Sequence, residues 1–137
     1  VKALGADHVI DYKAEPDWSK AAFLASGKTG YDVVIDSVGT ATFKGSVRAL
    51  RNGGRLVTCG ATTGPLGELD LRAIFWKQLS ILGSTMGVPR DLADAIALWE
   101  QRRLKVVVDS VWPLDKVKDA MAHLERAGQF GKVVIKP

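Results

Sequence analysis

The 137-residue sequence has one cysteine, Cys59, two histidines and five prolines. A single cysteine excludes an internal disulfide framework and suits a reducing compartment, so the cytoplasm is the expected location. His8, His123 and Cys59 lie far apart and lack the close paired spacing of a zinc site, so no metal centre is expected within the chain. No uninterrupted apolar run approaches the ~20 residues that span a bilayer, and no signal peptide opens the chain, which implies no membrane partner. Basic residues exceed acidic ones by only 19 to 15, and the densest basic cluster is Arg102, Arg103 and Lys105. A nucleic-acid surface would need a stripe of such residues, whereas an anionic cofactor accounts equally well for a mild excess. Neither low complexity nor an internal repeat is present. Val1 to Ala6 reads as the tail of a helix already under way, so the chain is expected to be a truncation.

What is there is ordinary globular composition: 47% hydrophobic and 25% charged residues with 14 glycines, enough to bury a sizeable core. Gly5 can close a helix in a left-handed conformation, and His8-Val9-Ile10 suits a short strand. Trp18 to Ala25 predicts a helix with Trp18, Ala21, Ala22 and Ala25 on one face, stopped by Gly27 and Gly30. Val33-Val34-Ile35 is a β-branched run expected to be covered on both faces. Phe43, Val47 and Leu50 recur at helical spacing up to Asn52-Gly53-Gly54, and Leu56 to Cys59 gives the next strand, with Cys59 expected as a small buried hydrophobe. Asp70 caps a helix through Lys77 that offers Leu71, Ile74 and Phe75 to the core, and Ser80-Ile81-Leu82 follows as a strand. Asp91, with Asp94 three residues on, opens a helix striped by Leu92, Ile96 and Trp99.

Short apolar strands separated by helices call for parallel pairing through right-handed crossovers, hence a doubly wound α/β sheet. From Val106 the pattern changes. Val106 to Val108 and Val111-Trp112 read as extended, Val117, Ala120, Met121 and Leu124 as a helical stripe with His123 at its edge, and Val133 to Ile135 as a closing strand. This stretch is expected to be a tail of different architecture.

In open parallel sheets, ligands lie beyond the carboxyl ends of the strands, where loops present unpaired backbone N–H groups. The residues there are Asp36-Ser37-Val38-Gly39, Gly60-Ala61-Thr62-Thr63-Gly64 and Gly83-Ser84-Thr85-Met86-Gly87. Glycine permits close backbone approach to a ligand and small hydroxyls donate without filling the space, although strand-to-helix turns also need glycine for their own geometry. Three such loops in succession point to a nucleotide crevice. Asp36 either helps organise that crevice or caps the next helix.

Leu4-Gly5-Ala6-Asp7-His8-Val9-Ile10-Asp11-Tyr12, Tyr31 to Gly39, Asn52 to Val57 and Gly131 to Ile135 together resemble, in order, the matching segments of medium-chain alcohol dehydrogenases and quinone oxidoreductases. The resemblance implies an α/β fold: a partial Rossmann doubly wound parallel sheet lacking its first two strands (residues 1–105), plus a C-terminal tail returning to the catalytic domain (residues 106–137). It implies NAD or NADP as cofactor. Gly60, Ala61 and Thr62 would lie along the nicotinamide ribose, Gly83, Ser84 and Thr85 would meet the carboxamide, and Val38 and Gly39 would lie beside the middle of the dinucleotide. Tyr12 would stand near the 2'-phosphate of NADP, although an exposed tyrosine after a strand looks the same.

The glycine-rich phosphate fingerprint and the residue that chooses between ribose and its phosphate are absent. The catalytic zinc ligands of the zinc-type branch would lie upstream, so zinc is expected only in the parent protein. That parent is expected to transfer a hydride between NAD(P)H and a small alcohol, aldehyde, ketone, quinone or enone, with the chain by itself inactive. An unpaired sheet edge makes a homo-oligomer the expected assembly. The alternatives are a non-catalytic oligomerising module and a methyltransferase, whose closing hairpin the Gly131 to Ile135 segment does not suggest.

Overall fold

The computed structural model describes residues 1–137, which form two compact units, Val1–Met86 and Gly87–Pro137. In the first, a single turn of 3-10 helix at Lys2–Leu4 ends on Gly5, whose φ of 103° and bond to the Lys2 carbonyl match the expected left-handed stop. There follow α1 (Trp18–Ala25), β1 (Tyr31–Asp36), α2 (Phe43–Ala49), β2 (Leu50–Thr58), α3 (Leu71–Lys77) and β3 (Ser80–Gly83). The three strands are parallel, in the order β1-β2-β3. The chain is thus α/β with a partial doubly wound parallel sheet, as expected.

The strand expected at His8-Val9-Ile10 does not form; that segment pairs with no strand. In the usual order 3-2-1-4-5-6 the third strand pairs only with the second, which this chain does not contain, so its N–H and C=O groups have no ladder to join.

Both crossovers step the same way across the sheet, and right-handed connections therefore put α2 and α3 on one face. Val47, Leu50, Leu56 and Leu79 form the core there, with Val34, Phe43, Leu69 and Ala73 packed around them. Leu56 is completely buried, a contribution of about 1.5–3 kcal/mol for such a side chain. The expectation that the strands are covered on both faces fails. Ile35, Val57 and Leu82 are in register on the opposite face, where Ile35 remains 72% exposed and Leu82 47%.

Two further expectations shift. Strand β2 begins directly after α2 instead of after the Asn52-Gly53-Gly54 turn, and the turn survives as an irregularity inside the strand. Tyr31 pairs with Leu50 but Val33 with Arg55, so the extra residues loop out around Gly53, which has a φ of 72°. In α3, Leu71 and Phe75 point to solvent while Ala73 packs inward. Lys77, one helical turn from Ala73 on the same side, donates through Nζ to the carbonyls of Arg48 and Leu50 at 3.2 and 2.8 Å and closes the end of α2. Residues two positions from Ala73 then lie on the far side of the helix.

Asp17 caps α1, accepting from the Lys20 amide, and also receives Arg48 of α2 at 3.1 Å. The midhelix glycine of α2, Gly45, is required by packing, since a Cβ there would lie 2.5 Å from the Trp18 ring.

The second unit contains α4 (Pro89–Glu100), β4 (Val108–Pro113), α5 (Val117–Glu125) and β5 (Lys132–Lys136), with β4 and β5 parallel and joined through α5. Helix α4 starts two residues before Asp91, whose carboxylate accepts from the Val88 amide at 2.8 Å. Its stripe of Leu92, Ile96 and Trp99 is exposed. His123 sits at the edge of α5, where its Nε2 meets Asp109 Oδ2 at 2.9 Å, and Asp109 Oδ1 accepts from the Phe130 amide at 2.9 Å. No helix is long and apolar enough to cross a membrane.

Candidate functional site

The carboxyl ends of β1, β2 and β3 bring the three glycine- and hydroxyl-rich loops to one end of the first unit. At the base of the first loop is Asp36, only 3% exposed. Its Oδ1 accepts from the Val38 and Gly39 amides at 2.8 and 3.0 Å, its Oδ2 from the Ser46 hydroxyl at 2.7 Å, and both oxygens lie within 2.9 Å of the Thr42 hydroxyl. Burial pushes this carboxyl up, but the hydrogen bonds from Gly39, Ser46, Thr42 and Val38 outweigh it and hold the group below its ordinary value. Asp36 is therefore a buried anion held by neutral donors. The capping reading is not met, since α2 starts at Thr42 without a side-chain cap; Asp36 instead shapes the loop through the Val38 and Gly39 amides and receives two hydroxyls from the start of α2. Thr42 and Ser46 are four residues apart, so one helix face delivers both. That spacing was the signal in the sequence that could have found them.

The second loop is laced to the first. The Thr63 amide and hydroxyl both donate to the Val38 carbonyl at 2.8 Å, and the hydroxyl oxygen accepts from the Ala41 amide at 3.0 Å. Thr62 Oγ1 donates to the Ser37 carbonyl at 3.2 Å, and Thr40 Oγ1 donates to the Leu66 carbonyl at 2.6 Å. This lacing accounts for two glycines. A Cβ on Gly39, with φ 89°, would lie 2.7 Å from the Gly64 carbonyl oxygen, and one on Gly60 would lie 2.6 Å from that of Ser37. At Gly83, by contrast, the space beside the backbone is open. The third loop is anchored where the Ser84 amide donates to the Thr58 carbonyl at 2.9 Å.

A cavity of about 560 Å³ opens along β1 toward the 10–18 segment, its walls including Ile10, Tyr12, Trp18, Asp36, Val38 and Thr63. Its size lies within the range of small-molecule sites. Tyr12 and Val38 face this cavity, Gly39 meets Gly64 at the loop junction, Gly60 to Thr62 belong to the second loop, and Gly83 to Thr85 extend from β3. Thr63, which the sequence places in the second loop without a contact to the dinucleotide, proves to be the junction of the first two loops.

Cys59 is exposed, contrary to expectation, because β2 ends at Thr58 and the chain leaves the sheet there. Its amide still donates to the Asp36 carbonyl at 2.9 Å. No three His, Cys, Asp or Glu side chains are grouped so as to hold a metal ion.

Residues 4–135 match the family model described as zinc-binding dehydrogenase. A zinc-type alcohol dehydrogenase-like protein of Schizosaccharomyces pombe is 32% identical over 139 residues, covering 98% of this chain and 40% of that protein. A crystal structure of an NAD-dependent alcohol dehydrogenase is 40% identical and superposes with a TM-score of 0.88 over 99% of this chain and 39% of its own. The structure of a 2-octenoyl-CoA carboxylase reductase in complex with NADP and 2-octenoyl-CoA is 28% identical, with a TM-score of 0.86 over 98% of this chain and 34% of its own. The chain spans about two fifths of the length of the curated relatives it matches most fully. Ordered motifs, fold and family model agree, and the chain belongs to the zinc-binding dehydrogenase family, within the medium-chain dehydrogenase/reductase group.

Proposed function

We propose that the chain supplies part of the nicotinamide coenzyme site of an oxidoreductase, with residues 1–105 belonging to the dinucleotide-binding domain and residues 106–137 to the catalytic domain. The observation that carries this reading is the meeting of three glycine- and hydroxyl-rich loops at adjacent parallel strand ends, beside a cavity of about 560 Å³. The fit is supported by the open backbone at Gly83 and by exposed hydroxyls on the loops. Tyr12, Val38 and Gly39 would hold the phosphate and ribose portion, and Gly60, Ala61, Thr62, Gly83, Ser84 and Thr85 the nicotinamide end. Either NAD or NADP suits this frame: one similar structure is of an NAD-dependent alcohol dehydrogenase and another is in complex with NADP. A bound nicotinamide carries the hydride chemistry, while these residues bind it, orient it and exclude water.

The substrate of the whole protein is a small alcohol, aldehyde, ketone, quinone or enone, the last class in keeping with the acyl-CoA substrate named for the reductase relative. For zinc the residues present do not fit, and no step is assigned to it. Titrating NADH and NADPH into the protein while following nicotinamide fluorescence is expected to give saturable binding. A folded protein that binds neither would defeat the reading.

One observation favours a second role beside this one. The row of Ile35, Val57 and Leu82 on the sheet's bare face, together with the unpaired edges of β1 and β3, suits association with another copy. Molecular mass in solution tests it, and a monomer at high concentration counts against it.

A further inference from the structure

Sheet pairing between β1 and β2 ends at Asp36 and Thr58, yet the hydrogen bonding between the two chain segments continues well beyond that point. Thr63 is the centre of this extension. Its hydroxyl uses both of its capacities across the gap, donating to the Val38 carbonyl at 2.8 Å and accepting from the Ala41 amide at 3.0 Å. The Ala41 amide immediately precedes the cap of α2 and receives no other acceptor, so the hydroxyl satisfies a donor that would otherwise turn to water. The other links in the lacing each use one capacity only: Thr62 to the Ser37 carbonyl, Thr40 to the Leu66 carbonyl.

We propose that Thr63 is a positioning residue of the coenzyme crevice. It clasps residues 37–42 to residues 59–66, so that the Val38-Gly39 turn and the Gly60 to Thr62 loop are presented to the dinucleotide as one body. This rests on the coenzyme reading above. Two loops that moved independently would each have to be ordered when the ligand arrives, and holding them together beforehand lowers that cost. The glycines are consistent with the clasp, because Gly39 and Gly60 let the two backbones approach to a distance that a Cβ would forbid.

The test compares Thr63→Val, which keeps the shape and removes the hydroxyl, with Thr63→Ser, which restores it. Thr63 is exposed, so neither change is expected to prevent folding. Thr63→Val is expected to weaken NADH or NADPH binding about threefold to tenfold, the loss of roughly one net hydrogen bond, with Thr63→Ser close to the parent. Amide exchange, read without ligand, is expected to rise in residues 37–42 although the change lies in the other loop. Three results overturn the proposal while leaving the coenzyme reading intact: Val and parent proteins that bind alike, a Ser variant as weak as Val, or faster exchange confined to residues 59–66. A parent protein that binds neither coenzyme overturns the coenzyme reading itself, and the role of Thr63 with it.

Discussion

Asp36 in the first unit and Asp109 in the second both tie chain segments together, by different means. Asp36 is buried and surrounded by two amides and two hydroxyls, none of which carries charge. Asp109 is partly exposed and shares its oxygens between the Phe130 amide and the ring of His123. Each carboxyl is held below its ordinary value. At Asp36 the donors have to overcome burial; at Asp109 the Phe130 amide contributes most, followed by His123. A carboxylate removed from water needs several fixed donors, while one still touched by water can rely on fewer, here an amide and an imidazole.

The contrast extends to the packing around each site. Leu50 and Leu56 lie fully buried in the core of the first unit, whereas Ala120 is the one buried residue of the second. If the first unit owes its rigidity to that core, Leu56→Ala is the most damaging change, expected to cost about 2–5 kcal/mol in urea unfolding. A loss below 1 kcal/mol would mean that the loops and not the core hold the unit together.

Asp36→Asn comes next, at about 1–3 kcal/mol near neutral pH, because one of the two acceptor oxygens gives way to an NH2 group that faces donors. It also alters the response to acid. With the folded pKa depressed, the native state binds fewer protons than the unfolded chain. The contribution of Asp36 is therefore complete above its ordinary value of 3.8 and is lost as pH falls through the lower folded value. Stability measured against pH should fall less steeply at acid pH in Asp36→Asn than in the parent; identical slopes would remove Asp36 from the account.

The smallest effect belongs to Asp109→Asn. It should leave the first unit unaltered and speed amide exchange at Phe130, since a weaker acceptor replaces the carboxylate. Unchanged exchange there would show that the parallel pairing of β4 and β5, and not the aspartate, holds that segment.

Much of this was legible in the sequence because it depends on near neighbours. The helix from Trp18 to Ala25, the stop at Gly5, the cap at Asp70 and the strand cores at Val33 to Ile35 and Ser80 to Leu82 follow from residue spacing and backbone preference within a few positions. The family resemblance was legible for the same reason, as an ordered set of short strand-end motifs.

The strand expected at His8 to Ile10 shows the boundary of such reasoning. Its apolar run is real, but a strand is defined by its partner, and none lies alongside. Leu71 and Phe75 failed likewise, because the face that α3 buries goes with contacts distant in sequence: Ala73 on the core, and Lys77 on carbonyls 27 and 29 residues away.

The alternation of strands and helices, the parallel sheet and the position of the strand-end loops were determined by the sequence itself, since apolar period, capping and glycine placement act locally. Tertiary structure alone decided which sheet face stays bare, that Cys59 is exposed, and that Thr63 joins two loops. Those outcomes depend on contacts such as Ala41 to Thr63 and Val38 to Thr63, 22 and 25 residues apart, which exist only once the crossovers have stacked the strands side by side.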